Sequence, residues 1–134
     1  MNHWLVKTEP DEYSYQMLQS QRRCAWTGVR NNLALKYLRQ MKLADPVMVY
    51  HTGNEKAVVG LATVVREAYP DPTDPNAKAV AVDLQAATPL AHPVSLLQIK
   101  SHAAFATWEL VRIPRLSVMP VSELQFKRIL ELAK

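Results

Sequence analysis

Cysteine occurs once in 134 residues, at Cys24, so no intrachain disulfide can form and nothing points to an oxidising compartment. Glycine occurs three times, too rarely for the glycine-rich loops that cradle phosphates, which excludes dinucleotide-binding and P-loop readings. The four histidines, His3, His51, His92 and His102, have no i,i+4 pairing and no carboxylate or cysteine at zinc spacing, so no metal is expected. No apolar run approaches the ~20 residues that a membrane span requires, and "MNHWLVKTEPDE" has neither a basic n-region nor a long apolar h-region. The expectation is a cytoplasmic protein that does not engage the membrane.

What is present fits one folded domain over residues 1–134. Hydrophobic residues make up 49% and charged residues 21%, too apolar a balance for disorder. A chain of this length buries roughly two-thirds of its unfolded surface. Formal charge is +4 and pI about 9.3, a mild excess that favours polyanions without demonstrating them.

Periodicity predicts the elements. "HWLVKT" (3–8) reads as an opening strand, with Pro10 pushing Glu9 toward extended geometry; Lys7 and Glu9 then share one face. Ser14 N-caps a brief helix through Met17 and Leu18. After Asn31, Ala34, Tyr37, Leu38 and Met41 fall at i, i+3, i+4 and i+7, with Lys36, Arg39 and Lys42 on the opposite side, an amphipathic helix with a basic back. Pro46 opens a strand over "VMVYHT", and 56–69 is a longer strand with Gly60 a candidate bulge. The turn-rich "PDPTDPN" (70–76) leads to a returning strand at 79–86, making a long antiparallel pair. Ser95 with Gln98 and Ser122 with Gln125 have capping-box spacing, predicting helices at 95–101 and 122–133, the second with Phe126, Ile129, Leu130 and Ala133 as its buried stripe. Residues 109–120 read as extended, interrupted by Pro114 and Pro120. Without βαβ alternation or a repeat period, the pattern argues for an α+β fold built on a small mixed barrel.

One stretch concentrates chemistry. In "WTGVRNN" (26–32) a flat aromatic lies beside a glycine, which lets another planar group approach, and an arginine sits at a helix entrance that already carries partial positive charge. That combination suits a base and its phosphate. Each residue also has a plainer role: core for Trp26, a turn for Gly28, solvated surface for Arg30, an N-cap for Asn31 or Asn32.

Six ordered blocks, "WLVKTEP" (4–10) with "YS" (13–14), "WTGVRN" (26–31), "MKLAD" (41–45), "VYHTG" (49–53), "YPDPT" (69–73) and "RLSVMP" (115–120), give the chain an end-to-end resemblance to the EVE domain, a branch of the PUA-like superfamily that includes YTH and ASCH domains. Two positions depart from the family pattern: Ala44 stands where glycine usually precedes the aspartate, and Thr52-Gly53 where Ser-Asn often follows the histidine. The resemblance implies a PUA-like mixed β pseudo-barrel with short surrounding helices. It also implies a non-catalytic module that accepts a flipped, modified nucleobase of the methylated or hydroxymethylated cytosine class. No cofactor is implied; the partner is nucleic acid, modified DNA foremost and RNA second, and protein partners stay open. Relatives in eukaryotes are nuclear, and bacterial ones stand alone or fused to restriction-type partners.

Roles carried over by position remain paired with alternatives. Trp26 is a stacking wall for the base or a barrel-core tryptophan, with Gly28 and Val29 the adjoining wall. Arg30, with Asn31, is the foremost phosphate candidate, or Arg30 forms a salt bridge, with Glu9 the expected partner. Lys7, Thr8 and Glu9 end the first strand, where either Lys7 pairs Glu9 to hold the rim or one of them meets a base edge; Glu9 offers the acceptor that a cytosine amino group needs. Tyr50, His51 and Thr52 end another strand, and His51 either donates to a base carbonyl or satisfies backbone groups. In "PRLSV", Leu116 and Val118 alternate inward while Ser117 points with Arg115 to the other face, Ser117 toward a base and Arg115 toward a phosphate. Trp4 and Trp108 belong to the core. The rival readings are an ASCH-like amidohydrolase of acylated cytidine working through "KTE", which needs Lys7 and Thr8 to converge from opposite faces of a strand, and an RNA-binding or protein-interaction module using the basic helix back.

Overall fold

The computed structural model describes residues 1–134. A six-stranded mixed sheet runs in the order β2 (Arg23–Trp26), β5 (Val80–Ser95), β4 (Ala57–Pro70), β3 (Pro46–His51), β1 (His3–Thr8), β6 (Val118–Val121). All neighbours are antiparallel except β1 and β3. Five short helices surround it: α1 (Tyr15–Gln21), α2 (Asn32–Gln40), α3 (Leu96–Lys100), α4 (Glu109–Arg112) and α5 (Glu123–Leu132). Residues of β2, at one end of the strand order, line the same cleft as residues of β1 and Ser117 at the other. The sheet is therefore curled into a pseudo-barrel, and α2 packs on β4, β5 and β6 across the unpaired side.

The curl explains why β1 and β3 read as unbroken apolar runs. Consecutive strand residues face opposite sides, and both sides here are covered: Trp4 meets Tyr37 of α2 at 6.1 Å, while His3 stacks on Phe126 of α5 at 4.4 Å. Val47 through Val49 are fully buried. Trp4 and Trp108 are core as expected, each with its ring N–H satisfied inside, by Asp45 Oδ2 at 2.9 Å and the Pro120 carbonyl at 3.0 Å.

The predicted helix starts hold at atomic level. Ser14 accepts from the Met17 N–H, Asn31 from the Ala34 N–H, and Ser95 and Ser122 each form a complete capping box with Gln98 and Gln125. Of the α5 stripe, Ile129 and Ala133 are buried, while Phe126 and Leu130 are half-buried.

Three segments differ from the sequence-based expectation. Residues 109–112 form a helical turn rather than extended chain, anchored by Trp108, whose carbonyl accepts from the Val111 and Arg112 N–H groups. β2 is a short strand the sequence did not signal, since four residues carry no readable alternation and its pairing with Val82–Gln85 supplies the ladder. β5 continues past 86 to Ser95 through Pro89 and Pro93; beyond Gln85 its second edge has no ladder partner, so prolines cost it no bond there.

Candidate nucleic-acid interface

The parallel pairing of β1 with β3 sets Thr8 beside His51, and the Thr52 N–H donates to the Thr8 carbonyl at 3.0 Å. On the other side of β1, the Lys7 N–H donates to the Ser117 carbonyl at 2.9 Å. Lys7, Thr8, Glu9 and Ser117 thus gather at one end of the barrel. Facing them is the chain from Cys24 to Arg30, delivered there by the β2–β5 ladder. Between the two lies an open cleft of about 470 Å³, within the size range of small-ligand sites.

Trp26 lines this cleft and meets the Tyr13 ring edge-on, with centroids 6.0 Å apart. It is 7% exposed, yet it differs from the other two tryptophans. Its ring N–H has no hydrogen-bond partner in the protein, although no buried side-chain polar atom is left unsatisfied. That N–H therefore reaches solvent. Trp26 thus packs most of its surface into the hydrophobic core while part of the residue lines the cleft.

Gly28 has φ +85°, and a Cβ there would meet nothing within 4 Å. The glycine is thus required by backbone conformation, and the space above it stays open. Its N–H donates at 2.8 Å to Asp71, a buried carboxylate that also accepts from Arg30 at 3.1 Å and from both the N–H and hydroxyl of Thr73 at 2.7 Å. Burial alone would raise the Asp71 pKa; the bonds from Thr73, Gly28 and Arg30 override it and hold the carboxyl at about 2. Asp71 consequently fixes the "WTGVR" turn.

Arg30 lines the cleft, but its salt bridge goes to Asp71, not Glu9, with further bonds to the Val29 carbonyl and Thr73 hydroxyl. Its charge is compensated, though the side chain stays 44% exposed. Lys7 does not pair Glu9 either. Its Nζ donates to the Pro114 carbonyl at 2.7 Å and stands 5.5 Å from the Tyr50 ring centroid, and burial lowers its pKa. Glu9 is held through Oε1 by the Asp11 N–H and through Oε2 by the Thr52 hydroxyl, both at 3.2 Å. Gly53, at φ +74°, leaves that carboxylate room, since a Cβ there would lie 2.8 Å from Oε2. Both residues of the Thr52-Gly53 departure therefore act on Glu9.

Lys7, Thr8, Glu9, Trp26, Gly28, Val29, Arg30 and Ser117 come together in the cleft; six other candidates do not line it. Tyr50 and Thr52 line a neighbouring depression instead. His51 is buried with both ring nitrogens engaged: Nε2 accepts from the Tyr15 N–H at 2.9 Å, so Nδ1 carries the proton donated to Glu55. Leu116 is core. Asn31 spends its side-chain oxygen on the α2 cap. Arg115 is exposed outside the cleft.

Residues that sequence reasoning left without a site role are Tyr13, Cys24 and Asp71. Burial, with the Cys24 thiol beside it, raises the Tyr13 pKa. Tyr13 and Asp71 each lie within one of the six blocks, but nothing in a lone tyrosine or a proline-flanked aspartate distinguishes a site from a turn. Contrary to the alternation argument, Lys7 and Thr8 both line the cleft, because β1 ends there and the chain turns. The Thr8 hydroxyl, however, donates to the Tyr13 carbonyl at 2.7 Å and has neither Lys7 nor Glu9 as a partner. A nucleophile needs a base within hydrogen-bond reach.

The EVE domain family model matches residues 2–132. The chain belongs to the EVE domain family. Thymocyte nuclear protein 1 of Rattus norvegicus is 33% identical, the match covering 98% of this chain and 73% of the relative. Among solved structures, a protein from Rhodopseudomonas palustris superposes with a TM-score of 0.93 at 38% identity, over 99% of this chain and 93% of the other. Human THYN1 protein, solved in complex with 5-methylcytosine-containing DNA, superposes with a TM-score of 0.93 at 29% identity, over 100% of this chain and 98% of that one. An ASCH protein from Zymomonas mobilis, at 12% identity and a TM-score of 0.62 over 98% of this chain and 99% of that one, shares the fold alone. This EVE chain thus has the PUA-like architecture its blocks implied. None of its helices is long and apolar enough to cross a membrane.

Proposed function

We propose that this EVE domain is a non-catalytic reader that takes a flipped, modified cytosine of DNA into the Trp26 cleft. The observation that carries the reading is the Trp26 indole, which lines an open cleft with a ring N–H that no protein group satisfies. The human relative's complex with 5-methylcytosine DNA supports the ligand class. In this reading Trp26 stacks on the base, Gly28 and Val29 admit its edge, and Glu9, fixed by Thr52, accepts from the exocyclic amino group. Ser117 supplies a hydroxyl at the rim, and the outward donors of Arg30 meet phosphate.

Magnitudes set the form of recognition. Burying one methyl group contributes about 0.8 kcal/mol, a few-fold in affinity, whereas extruding a base from a duplex costs a few kcal/mol. Base-edge hydrogen bonds and stacking, roughly 1–3 kcal/mol per aromatic contact, must offset the extrusion. The isolated domain therefore binds weakly, selects cytosine from other bases through Glu9 and gains a few-fold from the methyl group.

The test is a titration of purified protein with duplexes that differ only in one 5-methylcytosine. Tighter binding of the modified duplex by a few-fold is expected, with Glu9→Gln weakening both duplexes alike because the amino group is common to both; equal binding of both duplexes by the parent contradicts the reading. The amidohydrolase alternative predicts release of the acyl group from N4-acylated cytidine. No turnover is expected, because the Thr8 hydroxyl has no base beside it.

A further inference from the structure

Lys7 is a wall between two clefts. On the side away from Trp26 lies a second concavity of about 270 Å³, to which Lys7, Lys56 and Lys100 all contribute, together with Tyr50 and Thr52. No carboxylate lines it. Lys56 and Lys100 form no ion pair and no side-chain hydrogen bond, and both are exposed. They are nevertheless brought to one place by the backbone. The Lys56 carbonyl accepts from the Leu96 N–H at 2.8 Å, which ties the β3–β4 turn to the start of α3, and Lys100 sits in the last turn of that helix. Lys7 is pinned to the Pro114 carbonyl, with Tyr50 beside its ammonium.

Three lysines share one concavity that no carboxylate lines, and an anion placed among them relieves their mutual repulsion. The contrast with the first cleft is sharp: there the one arginine is compensated by buried Asp71. We propose that the lysine cleft binds a backbone phosphate of the strand whose base occupies the Trp26 cleft, with Lys56 and Lys100 as its ligands and Lys7 as the wall common to both. This assignment rests on the reader function and moves the main phosphate contact from Arg30 to the lysines. Its partner is a phosphodiester; Thr52, which reaches both Glu9 and this cleft, links the two sites.

The test is the salt dependence of binding to the 5-methylcytosine duplex for the parent and for the double variant Lys56→Gln, Lys100→Gln. The slope of log affinity against log salt is expected to become shallower by about one to two, and affinity to fall by the same factor for modified and unmodified duplexes. Unchanged unfolding temperature would confirm that these exposed replacements leave the fold intact. An unaltered slope overturns the assignment. So does a slope that responds only to Lys36→Gln and Arg39→Gln on the back of α2 and Lys42→Gln just after it. A parent that binds both duplexes equally contradicts base reading but leaves the lysine comparison decisive, because the slope does not depend on the base. A parent that binds neither overturns both.

Discussion

Replacing Asp71 by alanine removes one acceptor and strands the Gly28 N–H, the Thr73 N–H and hydroxyl, and the Arg30 guanidinium together. Losing a buried, charge-assisted network of this kind costs about 2–3 kcal/mol, readable as a lowered urea midpoint. The same carboxylate has a folded pKa of about 2, below its ordinary 3.8. Its contribution is therefore complete above about pH 4 and is lost as pH falls toward 2. Acid titration of stability should show that loss in the parent and not in Asp71→Asn. Ala44 offers the opposite sign. Its φ of +73° is the left-handed region, where a non-glycine residue is strained by about 1–2 kcal/mol. The family pattern has glycine there, and Ala44→Gly should raise stability by about 1 kcal/mol in thermal unfolding, after the entropy of the more flexible glycine chain is subtracted.

At the scale of elements, α1 rests on β4 at one point. The Tyr15 ring covers Gly60 so closely that a Cβ there would lie 2.3 Å from Cζ, and the Tyr15 hydroxyl donates to the Leu61 carbonyl at 2.6 Å. Gly60→Ala should destabilise by about 1–3 kcal/mol through overpacking and lift α1, which thermal unfolding and near-UV circular dichroism of Tyr15 would register. Gly60 was legible as a bulge, and the register of β4 against both neighbours does shift beside it. The reason for the glycine, a tyrosine packed over the strand, is a tertiary contact that no local pattern encodes. The same division runs through the fold. Caps at Ser14, Asn31, Ser95 and Ser122 are local chemistry and were readable. β2 and the second half of β5 exist because of partners distant in sequence, and were not. In the site, Trp26, Gly28 and Arg30 stood out by composition. Which acceptor held Arg30, and that His51 and Asn31 were committed to Tyr15 and the α2 cap, depended on packing.

For the whole molecule, curling the sheet brings β2 opposite β1 and opens one cleft lined by an indole, a glycine turn and a fixed carboxylate, with a lysine-lined cleft next to it. A base that enters beside Trp26 must disturb its indole. The three indole N–H groups provide separate reporters: those of Trp4 and Trp108 are bonded inside the core, and that of Trp26 is open. Their NMR resonances, with Trp26 assigned through Trp26→Phe, should be followed as a 5-methylcytosine duplex is added. The Trp26 signal is expected to shift with saturation while the other two hold still. A stationary Trp26 signal at saturating duplex would contradict entry of the base there.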